Sequence, residues 1–261
     1  SQAPLGQRAG FQANSAGMIS GVERWLSPEF LAGMAFAYDH DFLSLRGAGG
    51  SGGVNSYRIG PYAAWFHDDW FVDGWTAYGY DGSRLQRAVP VGALNLSPQS
   101  QFSNNGGTVY LEGGRDLRLD RLLVTPFATL QYTNLSQSSF TETGGNGSDL
   151  HVYATSFNSL RSRLLLQASR NYIYRGVVLT PGVFGGWVHE YLANDPIRAR
   201  FAWGQTDFLT SPTGIIRDTG QFGANLLGSF QRGTTVNLRY IGELGSGAQL
   251  HWAQLSLAHP Y

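Results

Sequence analysis

Apolar and polar residues alternate along much of the chain, and residues 121–132 (RLLVTPFATLQY) illustrate the pattern. Even positions are mostly apolar, and odd positions after Leu123 mostly carry hydroxyl or amide groups; the two sets are Leu122, Val124, Pro126, Ala128, Leu130 and Tyr132, and Thr125, Phe127, Thr129 and Gln131. A period of two places successive side chains on opposite faces of a β-strand. One face of this strand must therefore be buried against an apolar environment.

Similar runs, separated by turn residues, recur along the whole chain and predict an all-β fold. The predicted strands cover residues 13–26, 29–46, 54–67, 69–81, 105–116, 121–136, 149–168, 176–192, 219–231, 234–244 and 248–261, with a weaker candidate within 3–12. Helix periodicity is weak, and the 35 glycines argue against long helices, because each costs about 1 kcal/mol in a helix interior. No window approaches the roughly 18 consecutive apolar residues of a membrane-spanning helix.

The connections between these strands alternate in length. Short links at Ser27-Pro28, His67-Asp68, 116–120 and Arg232-Gly233 alternate with long links at 47–53, 82–104, 137–148 and 193–218. Two links depart from this alternation. The link at 168–176 is long where a short one is expected, and the link at 244–247 is short where a long one is expected. Outer-membrane barrels have this asymmetry, with short periplasmic turns and long extracellular loops.

Strand length and aromatic placement favour the same architecture. Many strands reach the roughly 9 to 11 residues that a tilted strand needs to cross a bilayer, and aromatic residues cluster at the short-turn end: Trp25, Phe30, Trp65, Phe66, Trp70, Phe71, Tyr172 and Tyr174. We therefore predict a single transmembrane up-and-down antiparallel β-barrel of about 12 strands, with lipid on the apolar face. A soluble barrel with its apolar faces turned inward has the same periodicity and remains an alternative.

Composition narrows the function classes. The 261 residues include 18 basic and 18 acidic ones and no cysteine, and 42% are hydrophobic. The balanced, sparse charge offers no basic face for nucleic acid, and the lack of cysteine excludes disulfides and thiolate metal sites. The opening SQAPLG lacks a charged segment followed by an apolar one, so we expect a mature or excised segment.

Several stretches of the chain, in this order, carry a resemblance to a known family: GPYAAWFHDDWFVDGWTAYGYDGSR, TPFATLQYTNLSQSSFTETG, LHVYATSFNSLRSRL, TPGVFGGWVHEY, GQFGANLLGSF and VNLRYIGELG. From about residue 13 to the end, the chain resembles the C-terminal translocator (β-barrel) domain of a classical autotransporter, the type Va secretion system. The resemblance implies a barrel with both termini on the periplasmic side of the bacterial outer membrane. It also implies export of an N-terminal passenger, which is absent from this chain.

The resemblance further implies partners and domain limits. The expected partners are outer-membrane lipids, the barrel assembly machinery, periplasmic chaperones and the protein's own passenger segment, and a monomer is expected. Residues 1–12 are interpreted as a remnant of the linker with a poorly defined first strand, and residues 13–261 as the barrel. Residues 1–12 are too short and too rich in Gly and Pro for the family's linker helix. The final strand would carry the assembly signal on Leu255, Leu257 and Tyr261, although Pro260 and His259 precede Tyr261.

Charged residues within the predicted strands indicate which positions face the lumen. A basic group on the lipid face near the midplane costs about 2–4 kcal/mol, so such residues should line the lumen or lie near an interface: Arg58, Asp73, Glu112, Arg161, Glu190 and Arg239. The family resemblance adds Arg84 and Glu142 to this set. Their role is either to solvate a wet interior as structural ion pairs or to take part in passenger passage or plug packing.

Catalytic chemistry is weakly represented. Asp39-His40-Asp41 and His67-Asp68-Asp69 combine acids with a histidine, but solvated strand ends also require such residues. No Gly-x-Ser-x-Gly elbow and no metal-ligand spacing occurs, so we expect no catalytic, metal or cofactor site. The leading hypothesis is a translocator barrel; the alternatives are a general diffusion porin and, third, an outer-membrane hydrolase or protease.

Overall fold

The computed structural model describes residues 10–46, 49–91, 94–193, 195–210 and 216–260. The regular structure of those ranges consists of nineteen β-strands and one short 3₁₀ turn at Gln231–Gly233. Every strand ladder described there is antiparallel. The all-β antiparallel fold is therefore confirmed. Within the same ranges, none of the helical structure is long and apolar enough to span a membrane.

Eleven long strands form one sheet in chain order: β1 (Gly10–Ser27), β2 (Phe30–Arg46), β3 (Gly50–His67), β4 (Trp70–Arg87), β7 (Gln99–Arg115), β9 (Leu122–Gln137), β12 (Thr155–Ser169), β14 (Val177–Glu190), β17 (Asp218–Ser229), β18 (Thr235–Gly245) and β19 (Ala248–Ala258). Two short strands extend this sheet, β8 (Leu117–Leu119) beside β9 and β13 (Tyr172–Tyr174) beside β14. The remaining strands form two small sheets, β5 (Val89–Val91) with β6 (Leu94–Leu96), and β10 (Phe140–Thr141), β11 (Leu150–Val152), β15 (Ile197–Phe201) and β16 (Asp207–Thr210).

The two ends of the large sheet differ in the length of their connections, as the alternation of short and long links in the sequence predicts. Tight turns join the strands at one end, and the small sheets lie in the long connections at the other. Residues 168–176, which read as a long link, contain a hairpin with a two-residue turn at Arg175-Gly176. Both turn residues have positive φ, 49° and 80°, as a type I′ turn requires.

The two faces of the sheet follow the alternation, because residues paired across a ladder share a face. One face exposes large apolar side chains, among them Val72, Leu111, Leu130, Leu164, Val183, Phe222, Leu238 and Leu255. The other face carries buried polar groups: Ser56, Asp81, Ser83, Asn104, Thr125, Thr129 and Ser169. We take the first as the outer face and the second as the lumen. Thr125 and Thr129 were expected to face water but are 7% and 4% exposed, because neighbouring lumen side chains cover them.

The described sheet has an odd number of long strands, which fixes the relative direction of its first and last strands. With eleven alternating strands, β1 and β19 run in the same direction, so Gly10 lies at the long-loop end and β19 ends at the short-turn end. No ladder joins β1 to β19 in the described ranges, and a cleft of about 750 Å³ is lined by residues 11–15 and 248–252. A strand preceding β1 would be antiparallel to both. The weaker strand predicted within 3–12 falls mostly on residues 1–9, outside the described residues, so the count of twelve stays a prediction.

β7 and β9 approach each other closely at Gly106, on the lumen face. A Cβ atom there would lie 1.9 Å from the carbonyl oxygen of Asn134, whereas the nearest atom to a Cβ on Gly107 is 3.7 Å away. We expect Gly106→Ala to lower the free energy of unfolding by about 1–3 kcal/mol, because the strands must separate. Urea unfolding in lipid vesicles measures this change. Gly107→Ala is the matched control, and equal losses for the two variants would contradict the close approach.

Candidate functional site: the barrel lumen

The lumen contains a cavity of about 590 Å³ along β2, β3 and β4. Its walls are mostly small or apolar side chains, including Leu31, Ala35, Ala37, Ala64, Phe71 and Ala77. Arg58 and Asp73 also line it. An extended segment could therefore lie against this wall with few polar groups to desolvate.

Arg58 forms an ion pair on the cavity wall. Its guanidinium donates to Asp81 Oδ1 at 2.6 Å and to the carbonyl oxygen of Tyr57 at 3.2 Å. The Asp81 side chain is only 8% exposed. Gly79 is the ladder partner of Arg58, and a Cβ on Gly79 would lie 2.7 Å from Arg58 Cδ, so the glycine makes room for the arginine.

Two acids, Asp73 and Glu112, lie side by side in the lumen. They are direct ladder partners on β4 and β7, a pairing that like charges disfavour. Tyr110 donates its hydroxyl to Glu112 and stacks on Trp75 with 5.5 Å between ring centroids. Asp73 Oδ2 is buried without a hydrogen-bond partner among the described residues. This acidic pair therefore leaves an unsatisfied acceptor in the lumen wall.

Basic groups occupy the neighbouring strands. Arg163 on β12 donates to Thr129 Oγ1 at 3.3 Å and to Gln131 Oε1 at 3.1 Å. Arg161, two positions away, donates to Glu243 on β18, which also accepts a 2.8 Å bond from the Thr219 hydroxyl. Since β14 and β17 lie between β12 and β18, this ion pair spans the concave side of the sheet. The contact identifies that side as the lumen.

Glu190 and Arg239 have structural partners. Glu190 accepts bonds from the Ser159 hydroxyl at 2.5 Å and from the backbone N–H groups of Leu160 and Leu192, each at 3.0 Å. The Arg239 guanidinium lies over the ring of Phe184, 5.1 Å from its centroid. Both side chains therefore stabilise the inner wall through contacts already made within the chain.

At the long-loop end, Arg87 and Glu142 form a bidentate pair. Arg87 donates from Nε and Nη2 to the two carboxylate oxygens of Glu142 at 3.0 and 2.6 Å. Glu142 follows β10 in the loop between β9 and β12, so it lies at the mouth of the lumen. Arg84 was expected in the lumen, but its ladder partners Gly53 and Gln101 place it on the outer face. Three positions separate it from inward-facing Asp81, and an odd separation reverses the face.

Register places all six charged residues inferred directly from the strands on the lumen face: Arg58, Asp73, Glu112, Arg161, Glu190 and Arg239. The structure adds lumen residues that the sequence reasoning missed, namely Asp81, Arg87, Arg163 and Glu243. Arg163 lies two positions from Arg161, and Glu243 four from Arg239. Their even separation from residues already assigned to the lumen was the available signal.

The two candidate acid–histidine groups do not assemble as catalytic sites. On β2, Asp39 and Asp41 face the lumen, whereas His40 lies on the outer face and its Nδ1 is 2.8 Å from Asn55 Oδ1. At the tight-turn end, His67 Nδ1 lies 2.8 Å from Glu29 Oε1. Within the described ranges, no group of three or more His, Asp or Glu side chains could hold a metal ion.

Another ion pair, Arg198–Asp207, lies in the long connections, outside the spanning strands. Arg198 Nε donates to Asp207 Oδ2 at 2.8 Å, and this hydrogen bond lowers the pKa of Asp207. A depressed carboxyl pKa contributes stability that is present above the unfolded pKa and lost as the pH falls through the folded one. The small sheet that contains β15 and β16 should therefore loosen in acid.

The last strand presents two of the three residues of the expected assembly signal. Leu255 and Leu257 lie on the outer face and are each 72% exposed. Tyr261 lies outside the described residues. The exposed pair continues the outer apolar band to the edge of the described sheet.

An apolar outer band, a polar inner wall and an asymmetric up-and-down meander define an outer-membrane β-barrel. The chain matches the family model "Autotransporter beta-domain" over residues 4–241. It belongs to the autotransporter β-domain family and is an integral outer-membrane barrel. The resemblance seen in the sequence is thereby confirmed.

Solved structures with a similar fold are translocator units. The chain is similar to the translocator domain of NalP from Neisseria meningitidis (14% identity, TM-score 0.75, 97% of this chain and 83% of that one). It is also similar to the β-domain of the Bordetella autotransporter BrkA (18%, 0.73, 97% and 93%) and the transport unit of AIDA-I from Escherichia coli (14%, 0.75, 98% and 85%).

Among curated proteins, the chain is 23% identical over 242 residues to an "Extracellular serine protease" of Serratia marcescens. The match covers 92% of this chain but 23% of that protein. The chain therefore corresponds to less than a quarter of the curated relative, and the protease activity in the name is a statement about that protein.

Proposed function

We propose that this barrel is the translocator unit of a longer secreted protein and that it exports an N-terminal passenger to the cell surface. The observation that carries the proposal is the 590 Å³ lumen cavity, lined mostly by small or apolar side chains together with Arg58 and Asp73, in a barrel whose outer face suits lipid. The small side chains of that wall leave space for a segment in transit. The Asp73 side chain, which lines this cavity, offers a carboxylate acceptor to a donor on the passing chain.

The lumen-lining set in this proposal comprises Arg58, Asp73, Glu112, Glu142, Arg161, Glu190 and Arg239. Arg161 and Glu190 hold the wall together, whereas Asp73 and Glu112 are available to the passenger segment. The barrel assembly machinery and periplasmic chaperones would recognise the apolar edge formed by Leu255 and Leu257. In this scheme the inserted barrel acts as a monomer and performs no catalytic step.

The general diffusion porin is the second candidate, and the strand count argues against it. Porins commonly have about 16 to 18 strands and hold a wide aqueous channel. The described sheet has eleven long strands, which makes a narrower barrel. The hydrolase candidate has no support beyond the name of the curated relative, because the acid–histidine groups of this chain do not converge.

A surface-display assay tests export directly. A protease-sensitive reporter joined upstream of the chain through its native linker should reach the surface of intact cells, where added protease removes it. The barrel with Leu130→Arg, which should not insert stably, is the negative control. A reporter that stays protected while the barrel itself is correctly inserted would refute the translocator role.

Conductance separates the translocator from the porin. In planar bilayers we expect the barrel to conduct through a pore lined by Arg58, Glu142, Glu190 and Arg239. Addition of the native upstream linker should reduce the conductance markedly, because a linker helix with side chains is about 10 Å wide and would fill the bore. A porin constricted by its own loops would be unaffected, so an unchanged conductance would favour the porin.

A further inference from the structure

The loop between β9 and β12 forms a hairpin at the lumen mouth, residues 138–153, which we call the rim hairpin. Its first strand continues the wall beside β7, since Ser138 N–H bonds the Ser103 carbonyl and Thr143 exchanges two backbone bonds with Gln99, each at 2.9 Å. The Phe140 ring stacks on inward-facing Phe102 at 4.4 Å. The base of the hairpin is therefore fixed to the barrel wall.

The tip of the rim hairpin bends over the lumen. Arg87 on β4 donates from Nη2 to the carbonyl oxygen of Ser148 at 2.8 Å and also binds Glu142. In a flat sheet, β7 and β10 would separate β4 from this tip by about three strand spacings of roughly 4.8 Å each. An arginine side chain reaches less than that distance, so the tip must curl from the wall toward inward-facing Arg87.

Other contacts place the tip beside the start of β7 on one flank and beside the β15–β16 turn on the other. A Cβ on Gly145 would lie 2.8 Å from Pro98 Cγ, and Pro98 is fully buried. The Trp203 indole donates to the carbonyl oxygen of Gly147 at 2.6 Å, and Ala202 N–H to that of Asp149 at 2.8 Å. The tip is thus tied on one flank to the start of β7 and on the other to the β15–β16 turn of its own small sheet, mainly by hydrogen bonds.

We propose that the rim hairpin is a cap over part of the lumen mouth and that the Arg87–Glu142 pair is its latch. Glu142 is 7% exposed, and its carboxylate binds Arg87 and the Leu150 N–H, at 2.9 Å for the latter. The latch therefore joins the wall and both strands of the hairpin at one buried charge. Without Arg87, that charge is unpaired and is solvated only when the cap lifts. The proposal concerns access to the lumen and does not require passenger export.

Single-channel recording of Arg87→Gln tests the latch. Loss of the charge-assisted bonds should raise the ratio of open to closed time on the order of tenfold, with a larger open conductance. Arg84→Gln removes the same charge from the outer face of the same strand and should match the wild type. Identical traces for the two variants would overturn the latch.

An engineered disulfide that locks the rim hairpin reversibly tests the cap independently. This test still applies if the Arg87→Gln variant fails to insert. The chain has no cysteine, so Pro98→Cys with Gly145→Cys introduces the only thiols, at a separation a disulfide can bridge with small adjustment. Oxidation should abolish the large-conductance state, and reduction of the same channel should restore it, while each single variant stays insensitive to oxidant. A locked channel that still conducts like the reduced one would overturn the cap.

Discussion

Leu130→Arg is expected to destabilise the inserted barrel by about 2–4 kcal/mol, the cost of a basic side chain on the lipid face near the midplane. Leu130 is 47% exposed on the outer face, opposite Leu111 on the neighbouring strand. The lipid around this position solvates no charge. Urea unfolding in vesicles should show the loss, and heat-modifiability gels should show less folded barrel.

The adjacent residue provides the control. Gln131 faces the lumen and already accepts a 3.1 Å bond from Arg163, so Gln131→Glu should pair with that arginine and retain wild-type stability. Leu130→Glu places the same carboxylate one residue away, in lipid, and should be destabilising, although less so than arginine. If Leu130→Glu and Gln131→Glu behaved alike, the assignment of the two faces would be wrong.

The faces of the barrel were predictable because alternation is a local property of each strand. Leu130 and Thr129 lie on the predicted faces, and so do Leu238 and Arg239. Alternation predicts which face a side chain lies on, but it does not predict how much of that side chain is exposed to solvent. Thr129, for example, is buried under neighbouring side chains rather than exposed to water. Burial inside the lumen depends on side chains from several strands.

Adjacent aromatics show a second limit. Trp65 and Phe66 both belong to the aromatic cluster predicted at the short-turn end, but neighbouring strand residues point in opposite directions. Trp65 faces outward, whereas Phe66 faces the lumen and packs against Trp25 with 5.8 Å between ring centroids. An enrichment of aromatic residues at a strand end indicates the membrane–water interface. The strand register determines which of those aromatic side chains points outward to it.

The partners of the charged lumen residues could not be predicted from the sequence, because a partner can lie on a distant strand. The charged positions inside strands were predictable from the cost of charge in lipid, but their partners were not. Glu243 lies three strands from Arg161, and only the curvature of the sheet brings them together. Arg87 was likewise missed, because the loop that supplies its partner Glu142 has no strand periodicity. Arg84 was added from the family resemblance, and the register places it on the outer face.

The Arg161–Glu243 pair should therefore stabilise the curved wall itself. The side chains are 28% and 13% exposed, between a surface pair and a fully buried one. Breaking a buried pair costs about 3–5 kcal/mol and an exposed pair about 0–1, so we expect Glu243→Gln to cost about 1–3 kcal/mol. The glutamine keeps an oxygen acceptor for the Thr219 hydroxyl, so the change removes mainly the charge. Unfolding in vesicles measures the loss.

A double-mutant cycle assigns the loss to this pair. In the Glu243→Gln variant, Arg161 is left unpaired in the lumen, and adding Arg161→Gln should recover part of the stability because no uncompensated charge remains. Asp207→Asn breaks the exposed Arg198–Asp207 pair and should cost less stability than Glu243→Gln, because exposed pairs contribute little. Additive losses for Arg161→Gln and Glu243→Gln would mean that the two side chains act independently. The curvature of β12 to β18 would then rest on backbone pairing alone.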